Sequence, residues 1–374
     1  MPDLFDATTI NAMALPNRFV RSATWEGLAG DDGTVTPRLS EMMAELARGE
    51  VGLIISGHAY VSREGQAGLK QLGAYGDELS EGLAAMADAV HRAGGKIALQ
   101  LAHAGNQANT KLSGLPSVGP VDLASEGQLP CRALDQDGIA AVAESFAQAA
   151  ARAKRAGFDA VQVHAAHGYL LSQFLSPAWN TRADEYGGSL ENRARALLDV
   201  VRAVRMTVGP DYPVLAKLNS QDFVENGLTV ADSTAVAVLL EAASVDAVEL
   251  SGGCRPAGEA LMPARKGRIS SPGQEAYYRE AAAGMKSRLS IPLMLVGGVR
   301  SLEVARELLQ KGTADYISLS RPLICEPGLV KRWREGDLRP AQCVSDNACY
   351  APGFAGEGIR CVTMEKKRAR AAGL

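Results

Sequence analysis

The stretch Asp159-Ala-Val-Gln-Val-His164-Ala-Ala-His167-Gly-Tyr169 decides how the rest of this sequence is interpreted. Its first part, residues 160–164, predicts a buried strand, and His167 and Tyr169 follow just beyond the carboxyl end of that strand. The chain contains only five histidines, so placing two of them here concentrates polar chemistry in one turn. In barrels of parallel strands, catalytic residues lie at the carboxyl ends of the strands. The stretch therefore predicts a reactive site at the mouth of such a barrel.

The rest of the chain repeats the same pattern of a short apolar strand followed by an amphipathic helix. Eight strands are predicted, at residues 19–23, 51–56, 96–101, 160–164, 213–218, 247–250, 292–296 and 316–319. Helices are predicted at residues 38–48, 83–93, 138–155, 190–207, 230–243, 276–287 and 302–311. Eight such units in about 300 residues favour an α/β fold of the (β/α)8 TIM-barrel type over a doubly wound sheet. No G-x-G-x-x-G motif opens a helix after the first strand, which also argues against a dinucleotide-binding sheet.

Two regions depart from this rhythm, and we assign both to one domain that spans residues 1–374. Residues 106–132 are rich in Gly, Pro and Ser and predict a long excursion over the barrel mouth. Residues 323–374 follow the last strand and predict a C-terminal extension.

Net charge, apolar runs and cysteine content indicate which partners and which cellular location to expect. The net charge is −3 and the isoelectric point is near 6.0, which gives no support for nucleic acid or an anionic membrane as a partner. No apolar run is long enough to span a bilayer, so we expect a cytoplasmic protein. The six cysteines do not form the dense framework of a small secreted chain, and we expect reduced thiols. The oligomeric state stays open, a homo-oligomer included.

Several blocks of the chain resemble one family. They are the run from His164 to Ser189 and the segments 17–26, 54–59, 97–106, 214–219, 295–301 and 317–322. From Pro16 to about Cys361, the sequence resembles the flavin-dependent ene-reductases of the Old Yellow Enzyme group, in particular NADH:flavin oxidoreductases related to the barrel domain of 2,4-dienoyl-CoA reductase. The resemblance implies an FMN cofactor, with NADH or NADPH as hydride donor.

The resemblance implies which residues contact the flavin ring. Ser22, Ala23 and Thr24, in the turn after the first strand, lie against the ring. Trp25 falls where many relatives carry Thr or Cys, and it is either a ring neighbour or a packing aromatic. Gly57, at the end of the second strand, would contact the pyrimidine side, since a glycine lets a planar ring approach the backbone.

Two polar residues on apolar strands point to the same site. Gln100 offers both a donor and an acceptor to the flavin pyrimidine, and burying its amide unpaired would be costly. By resemblance, Lys217 places a cation beside the reduced ring. The alternative for Lys217 is a structural ion pair with Glu249 or another acid of the barrel.

The last two strand–helix units predict a phosphate site. The backbone N–H groups of Gly297 and Gly298 are exposed in a turn, and a helix begins near Ser301. Ser320 and Arg321 follow the eighth strand, where the Arg321 guanidinium can clamp a phosphate. The loops after strands seven and eight commonly bind phosphate in these barrels.

The opening stretch supplies the catalytic residues. By resemblance, His164 and His167 hydrogen-bond the carbonyl oxygen of an α,β-unsaturated substrate, and Tyr169 gives a proton to its α-carbon. Metal ligation by the two histidines is the competing hypothesis, but no Cys, Asp or Glu nearby has ligand spacing. We therefore predict an NAD(P)H-dependent ene-reductase that acts on small unsaturated carbonyl compounds in a ping-pong cycle.

The cysteine-containing tail leaves alternatives open. Cys343, Cys349 and Cys361 resemble three of the four ligands of a [4Fe–4S] cluster in dienoyl-CoA reductase-like proteins, and Asp346 stands where the other cysteine would be. We favour a remnant that holds no metal, with zinc or an iron–sulfur cluster as alternatives. The corresponding alternatives for function are an iron–sulfur flavoprotein, of the dienoyl-CoA reductase or demethylase type, and a flavin-binding protein without turnover.

Overall fold

The computed structural model describes residues 2–124 and 129–371. Its strands are β1 (Thr8–Ile10), β2 (Met13–Leu15), β3 (Phe19–Arg21), β4 (Leu53–Ile55), β5 (Ala59–Tyr60), β6 (Ile97–Ala102), β7 (Val118–Gly119), β8 (Arg132–Ala133), β9 (Ala160–Ala165), β10 (Val214–Asn219), β11 (Ala247–Ser251), β12 (Leu293–Val296) and β13 (Tyr316–Leu319). Eight parallel strands run in the order β4-β3-β13-β12-β11-β10-β9-β6, and β4 pairs with β6 to close the sheet. The predicted (β/α)8 barrel is confirmed.

Helices cover the outside of the barrel and form the extension. They are α1 (Pro37–Arg48), α2 (Ser80–Arg92), α3 (Thr110–Ser113), α4 (Gln136–Arg155), α5 (Leu170–Leu175), α6 (Leu190–Val208), α7 (Val230–Ala242), α8 (Arg279–Lys286), α9 (Leu302–Gln310), α10 (Arg321–Cys325), α11 (Leu329–Arg334), α12 (Ala351–Phe354) and α13 (Val362–Ala371). Helix α8 begins three residues later than predicted, because Ala276 has a φ of 49° that a right-handed helix does not allow. Within the described ranges, no helix is long and apolar enough to cross a membrane.

Several of these helices begin at a residue whose side chain accepts a hydrogen bond from a backbone N–H of the first turn. Such caps satisfy donors that a helix start otherwise leaves unpaired. The capping residues are Thr36, Asp135, Ser189, Thr229 and Ser301.

The barrel interior consists of layers, because every second residue of a strand points inward. The layer nearest the amino ends of the strands, called here the lower layer, is apolar. Its members are Val20, Leu53, Ile55, Ala98, Ala160, Leu215, Ala247, Met294 and Tyr316. One step further along the strands lies the middle layer, which is polar and buried. Its members are Ser22, Gln100, Gln162, Lys217, Glu249 and Ser318.

A hairpin that the sequence did not predict closes the lower end of the barrel. Strands β1 and β2 pair in antiparallel register, with Ile10 opposite Met13. Ile10, Met13 and Leu15 are buried and pack against the lower layer. The lower end is therefore closed by apolar side chains, while the site forms at the opposite end.

The two regions that depart from the repeated strand–helix pattern contain short elements of their own. The excursion contains α3 and a small sheet of β7 and β8, and its residues 125–128 lie outside the described residues. The extension contains α11, α12 and α13, and residues 372–374 are likewise outside the described part. The assignment of residues 1–374 to one domain stays a prediction.

Candidate active site

One cavity at the carboxyl end of the barrel brings together nearly all the predicted site residues. The predicted site residues that line this cavity are Ser22, Ala23, Thr24, Trp25, Gln100, His164, His167, Tyr169, Lys217, Gly297, Gly298, Ser320 and Arg321. The loops after β3, β9, β12 and β13 thus converge on one space, as the strand order requires.

Gly57 is outside the lining of this cavity, and its neighbour His58 is part of it. The Gly57 N–H donates to Glu26 Oε1 at 2.6 Å, and Glu26 pairs with Arg21 at 3.0 Å. A Cβ at residue 57 would lie 2.1 Å from Glu26 Oε2, so the buried carboxylate accounts for the glycine. Burial raises the pKa of Glu26, although Arg21 and the Gly57 N–H act in the opposite direction.

Trp25 both lines the cavity and packs against the extension. Its ring lies 5.2 Å from the ring of Phe354, and its Nε1 donates to the Leu69 carbonyl at 3.2 Å. Thr24 Oγ1 and Ser320 Oγ are 2.8 Å apart, which ties the turn after β3 to the turn after β13. The two alternatives for Trp25 are therefore compatible with one position.

A chain of hydrogen bonds joins the middle layer across four strands. Gln100 Nε2 donates to Gln162 Oε1 at 2.6 Å, and Gln162 Nε2 donates to Glu249 Oε2 at 3.0 Å. Lys217 Nζ lies 3.1 Å from Glu249 Oε2 and donates to Ser22 Oγ at 2.8 Å. Burial alone would raise the pKa of Glu249, but the Lys217 charge and these hydrogen bonds outweigh it and leave the pKa below its usual value.

Lys217 is thus ion-paired with Glu249 and at the same time part of the cavity lining. Gln162 was not among the predicted site residues, although the strand pattern contains a signal for it. Residues 160, 162 and 164 alternate along β9, so Gln162 shares the inward face of the strand with His164.

The histidine pair lies at the end of β9. The ring centroids of His164 and His167 are 5.1 Å apart, and His164 is 5.0 Å from the ring of Tyr169. His167 has a φ of 64°, and its Nε2 lies 2.8 Å from Ser251 Oγ. Among the described residues, His164 Nδ1 is buried without a hydrogen-bond partner.

Burial controls the protonation of all three groups. It lowers the pKa of both His164 and His167 well below the usual value, and the neighbouring histidines and the positive charge of Lys217 act in the same direction. Burial also raises the pKa of Tyr169 above its usual value. At neutral pH the site therefore presents two neutral imidazoles and a protonated phenol. Such groups can donate hydrogen bonds to an oxygen and give a proton without carrying a net charge.

The other end of the cavity is suited to an anion. A Cβ at Gly297 or Gly298 would lie 2.8 Å and 2.6 Å from the rings of Tyr278 and Tyr277, so these aromatic side chains require glycine in the turn. Arg321 Nη1 donates to the carbonyl of Arg265 and to Asn347 Oδ1, which fixes the guanidinium at the cavity wall. Within the part of the chain that is described, Ser318 Oγ is buried without a partner.

The start of helix α9 is partly engaged by a buried carboxylate. Glu275 Oε2 accepts from the backbone N–H groups of Arg300 and Ser301 at 2.6 and 3.0 Å. An anion in the cavity would therefore meet the Gly297–Gly298 turn and Arg321 rather than these two N–H groups.

The tail cysteines line a second, smaller cavity together with Cys325, which was not among the predicted residues. Cys325 is the last residue of α10, which begins at Arg321, and it lies too far from Cys343 in sequence to be recognised as part of the same motif. A hydrogen bond from Cys325 lowers the pKa of Cys361 below its usual value. Across residues 2–124 and 129–371, no group of three or more His, Cys, Asp or Glu side chains is arranged to hold a metal ion. The cluster-free remnant stays a prediction.

Comparisons with known proteins agree on one family. The model of the NADH:flavin oxidoreductase / NADH oxidase family matches residues 3–339. The chain is 36% identical to an NADH oxidase of Thermoanaerobacter brockii over 365 residues, which cover 96% of this chain and 55% of that protein. It is 35% identical to an NADPH dehydrogenase of Bacillus subtilis over 328 residues, 87% of this chain and 92% of the relative.

A solved structure of an Old Yellow Enzyme homologue from Zymomonas mobilis superposes with a TM-score of 0.79 at 28% identity, covering 94% of this chain and 98% of that one. The chain spans about half the length of the first curated relatives that it matches.

Proposed function

This chain belongs to the NADH:flavin oxidoreductase / NADH oxidase family, and from that premise we propose that it is an NAD(P)H-dependent flavin oxidoreductase of the ene-reductase type. FMN is the cofactor of this family. The proposed substrate is a small molecule with a C=C bond activated by a carbonyl group, and the proposal involves neither a nucleic acid nor a membrane. The homo-oligomer and the cytoplasmic location remain predictions.

The residues of the cavity fit FMN on two observations. At one end, the Gly297–Gly298 turn, Arg321 and the unpartnered Ser318 hydroxyl would hold the phosphate. At the other end, Gln100 and Lys217 present an amide and a cation that would hold the polar edge of the ring. The chemistry that FMN supplies when bound is hydride transfer between NADH or NADPH and the second substrate, in a ping-pong order.

The observation that carries the proposal is the group formed by His164, His167 and Tyr169. Among the described residues, His164 Nδ1 is buried without a partner, and the rings of His167 and Tyr169 pack edge-to-face against that of His164. The two neutral imidazoles would hydrogen-bond the carbonyl oxygen of the substrate and polarise its C=C bond. Tyr169, held protonated by burial, would give a proton to the α-carbon.

The experiment that tests this assignment separates the two half-reactions. Tyr169→Phe should slow reduction of 2-cyclohexen-1-one by the reduced protein by about 10²- to 10⁴-fold, because the general acid is lost. Reduction of the protein by NADPH or NADH should change little. Stopped-flow absorbance measures each step separately.

Tyr75→Phe is the matched control, since the Tyr75 hydroxyl bonds the Asp32 carbonyl and is not part of the cavity lining. It should leave both steps unchanged. Equal slowing of the two steps by Tyr169→Phe would contradict the role of Tyr169 as proton donor.

A further inference from the structure

The Tyr169 hydroxyl is bonded to a histidine that the mechanism above does not use. Among the residues that the structure describes, Tyr169 Oη lies 3.2 Å from His58 Nε2. The two ring centroids are 5.5 Å apart and the rings are inclined by 72°, so the edge of the imidazole faces the phenol. His58 also lines the cavity, which makes it the third histidine there, with His164 and His167.

The position of His58 is fixed by the backbone on both sides. Gly57 is anchored by Glu26, and the His58 carbonyl accepts from Gln71 Nε2 at 3.0 Å. The next two residues form β5, which pairs with β6 of the barrel. The backbone that carries the imidazole is therefore anchored to the barrel, and the hydrogen-bond distance to Tyr169 places the ring beside the phenol.

Burial makes ionisation of the Tyr169 phenol unfavourable, and His58 can reduce that cost. Burial raises the pKa of Tyr169, so that its phenol is a weaker acid here than in water. When the proton leaves, the phenolate that remains is half-buried and less well solvated than it would be in water. A donor placed at the oxygen beforehand binds the developing negative charge more strongly than the neutral phenol, and so favours the transfer.

We propose that His58 is a positioning residue for Tyr169: its Nε2–H donates to the Tyr169 oxygen, turns the phenol proton towards the substrate and stabilises the phenolate that forms. This inference rests on the proposed function. The proton that moves is that of Tyr169, which goes to the α-carbon of the substrate, while His58 keeps its own. The phenolate afterwards takes a proton from solvent.

The charge state of His58 is compatible with this role. Burial, and then the positive charge of Lys217, lowers the pKa of His58 to about 4. The imidazole is therefore neutral at neutral pH and carries one N–H. If that N–H is on Nε2, His58 donates to Tyr169; if it is on Nδ1, Tyr169 donates to His58 and its proton points away from the substrate.

The first experiment is a double-mutant cycle on the FMN-loaded protein with 2-cyclohexen-1-one. His58→Phe should slow substrate reduction by about 10- to 100-fold, the usual effect of losing a hydrogen bond to a charged oxygen. It should leave reduction by NADPH unchanged and have little effect when combined with Tyr169→Phe. His58→Gln, whose amide can donate from nearly the same place, should restore most of the rate. Equal slowing by the Phe and Gln variants, or full slowing in the presence of Tyr169→Phe, would overturn the proposal.

Ser251→Ala serves as the matched control, because it removes the hydrogen bond of another cavity histidine, His167. Its effect should be the same with and without Tyr169→Phe. A coupling to Tyr169 as strong as that of His58→Phe would assign the slowing to general loosening of the histidine group and overturn the proposal.

The second experiment does not depend on turnover. Nitrogen-15 NMR of histidine-labelled protein distinguishes the two tautomers, and the His58 signals are those lost in His58→Gln. An Nε2–H tautomer at pH 7 supports the proposal, and an Nδ1–H tautomer overturns it. If the unaltered protein fails to reduce 2-cyclohexen-1-one, the proposed function fails, yet the tautomer still reports whether His58 donates to Tyr169.

Discussion

The lower and middle layers of the barrel interior are built from the same strands, yet they follow opposite rules. In the lower layer, Ala98, Ala160 and Leu215 are apolar and meet the apolar hairpin of β1 and β2. Two residues further along the same strands are Gln100, Gln162 and Lys217, and all three are buried. Two consecutive inward-facing residues of one strand can therefore differ in kind: the first packs in the apolar floor, and the second is a polar residue that lines the site or bonds a residue that does.

The two layers are expected to contribute differently to the stability of the barrel. Burying an apolar side chain stabilises a fold by about 1.5–3 kcal/mol, so the lower layer favours folding directly. A buried ion pair is close to neutral at best, because desolvation of the charges offsets their attraction. The middle layer is stable only while each polar group keeps its partner, and we expect it to be the less tolerant of single changes.

The largest effect should follow from breaking the ion pair of the middle layer. Glu249→Gln leaves Lys217 buried without a countercharge, and we expect the free energy of unfolding of the FMN-free protein to fall by about 3–5 kcal/mol. Denaturant titration followed by circular dichroism measures it.

The double variant Lys217→Met with Glu249→Leu is the control, since it removes both charges and keeps similar volume. Its free energy of unfolding should fall much less than that of Glu249→Gln alone. A single variant as stable as the unaltered protein would mean that the middle layer tolerates unpaired charge, and the contrast between the layers would not hold.

A smaller effect should follow from lowering the pH, and the buried histidines at the carboxyl end of the barrel should contribute to it. The pKa of His58 is lowered to about 4 by burial, and those of His164 and His167 are lowered as well. The unfolded chain thus takes up protons before the folded one does, so stability is full above pH 6.5 and falls as the pH drops towards 4. Between pH 8 and pH 5, His58 alone should account for about 1–2 kcal/mol.

Denaturant titrations at pH 8 and pH 5 test this expectation. His58→Gln should lose less stability on acidification than the unaltered protein does. Identical losses in the two proteins would show that His58 is not held neutral by the fold.

The sequence predicted the barrel because its strands and helices are regular in length and period. All eight predicted strands overlap strands of the barrel, and the site residues on strand ends were brought together by the closed strand order. The partners Gln162 and Cys325 were missed, since contacts between side chains depend on register and on loop paths that local pattern does not specify. The structural reason for Gly57 could not be predicted either. A side chain at residue 57 would collide with the carboxylate of Glu26, which is a contact between distant parts of the sequence.

The hairpin of β1 and β2 was missed for a different reason. Its strands have three residues each, too few for alternation to be recognised, and they are held by the barrel floor as well as by each other.

The smallest effect should come from the lower layer, where it should be independent of pH. Ile10 is buried in the hairpin against the apolar floor. Ile10→Val removes one methyl group, and we expect the free energy of unfolding to fall by about 0.5–1.5 kcal/mol. Since no group that titrates between pH 5 and pH 8 belongs to this apolar cluster as described, the loss should be equal at both pH values. A loss that grew at pH 5 would mean that the two layers are coupled through the strands, and that the polar layer depends on how closely the floor beneath it is packed.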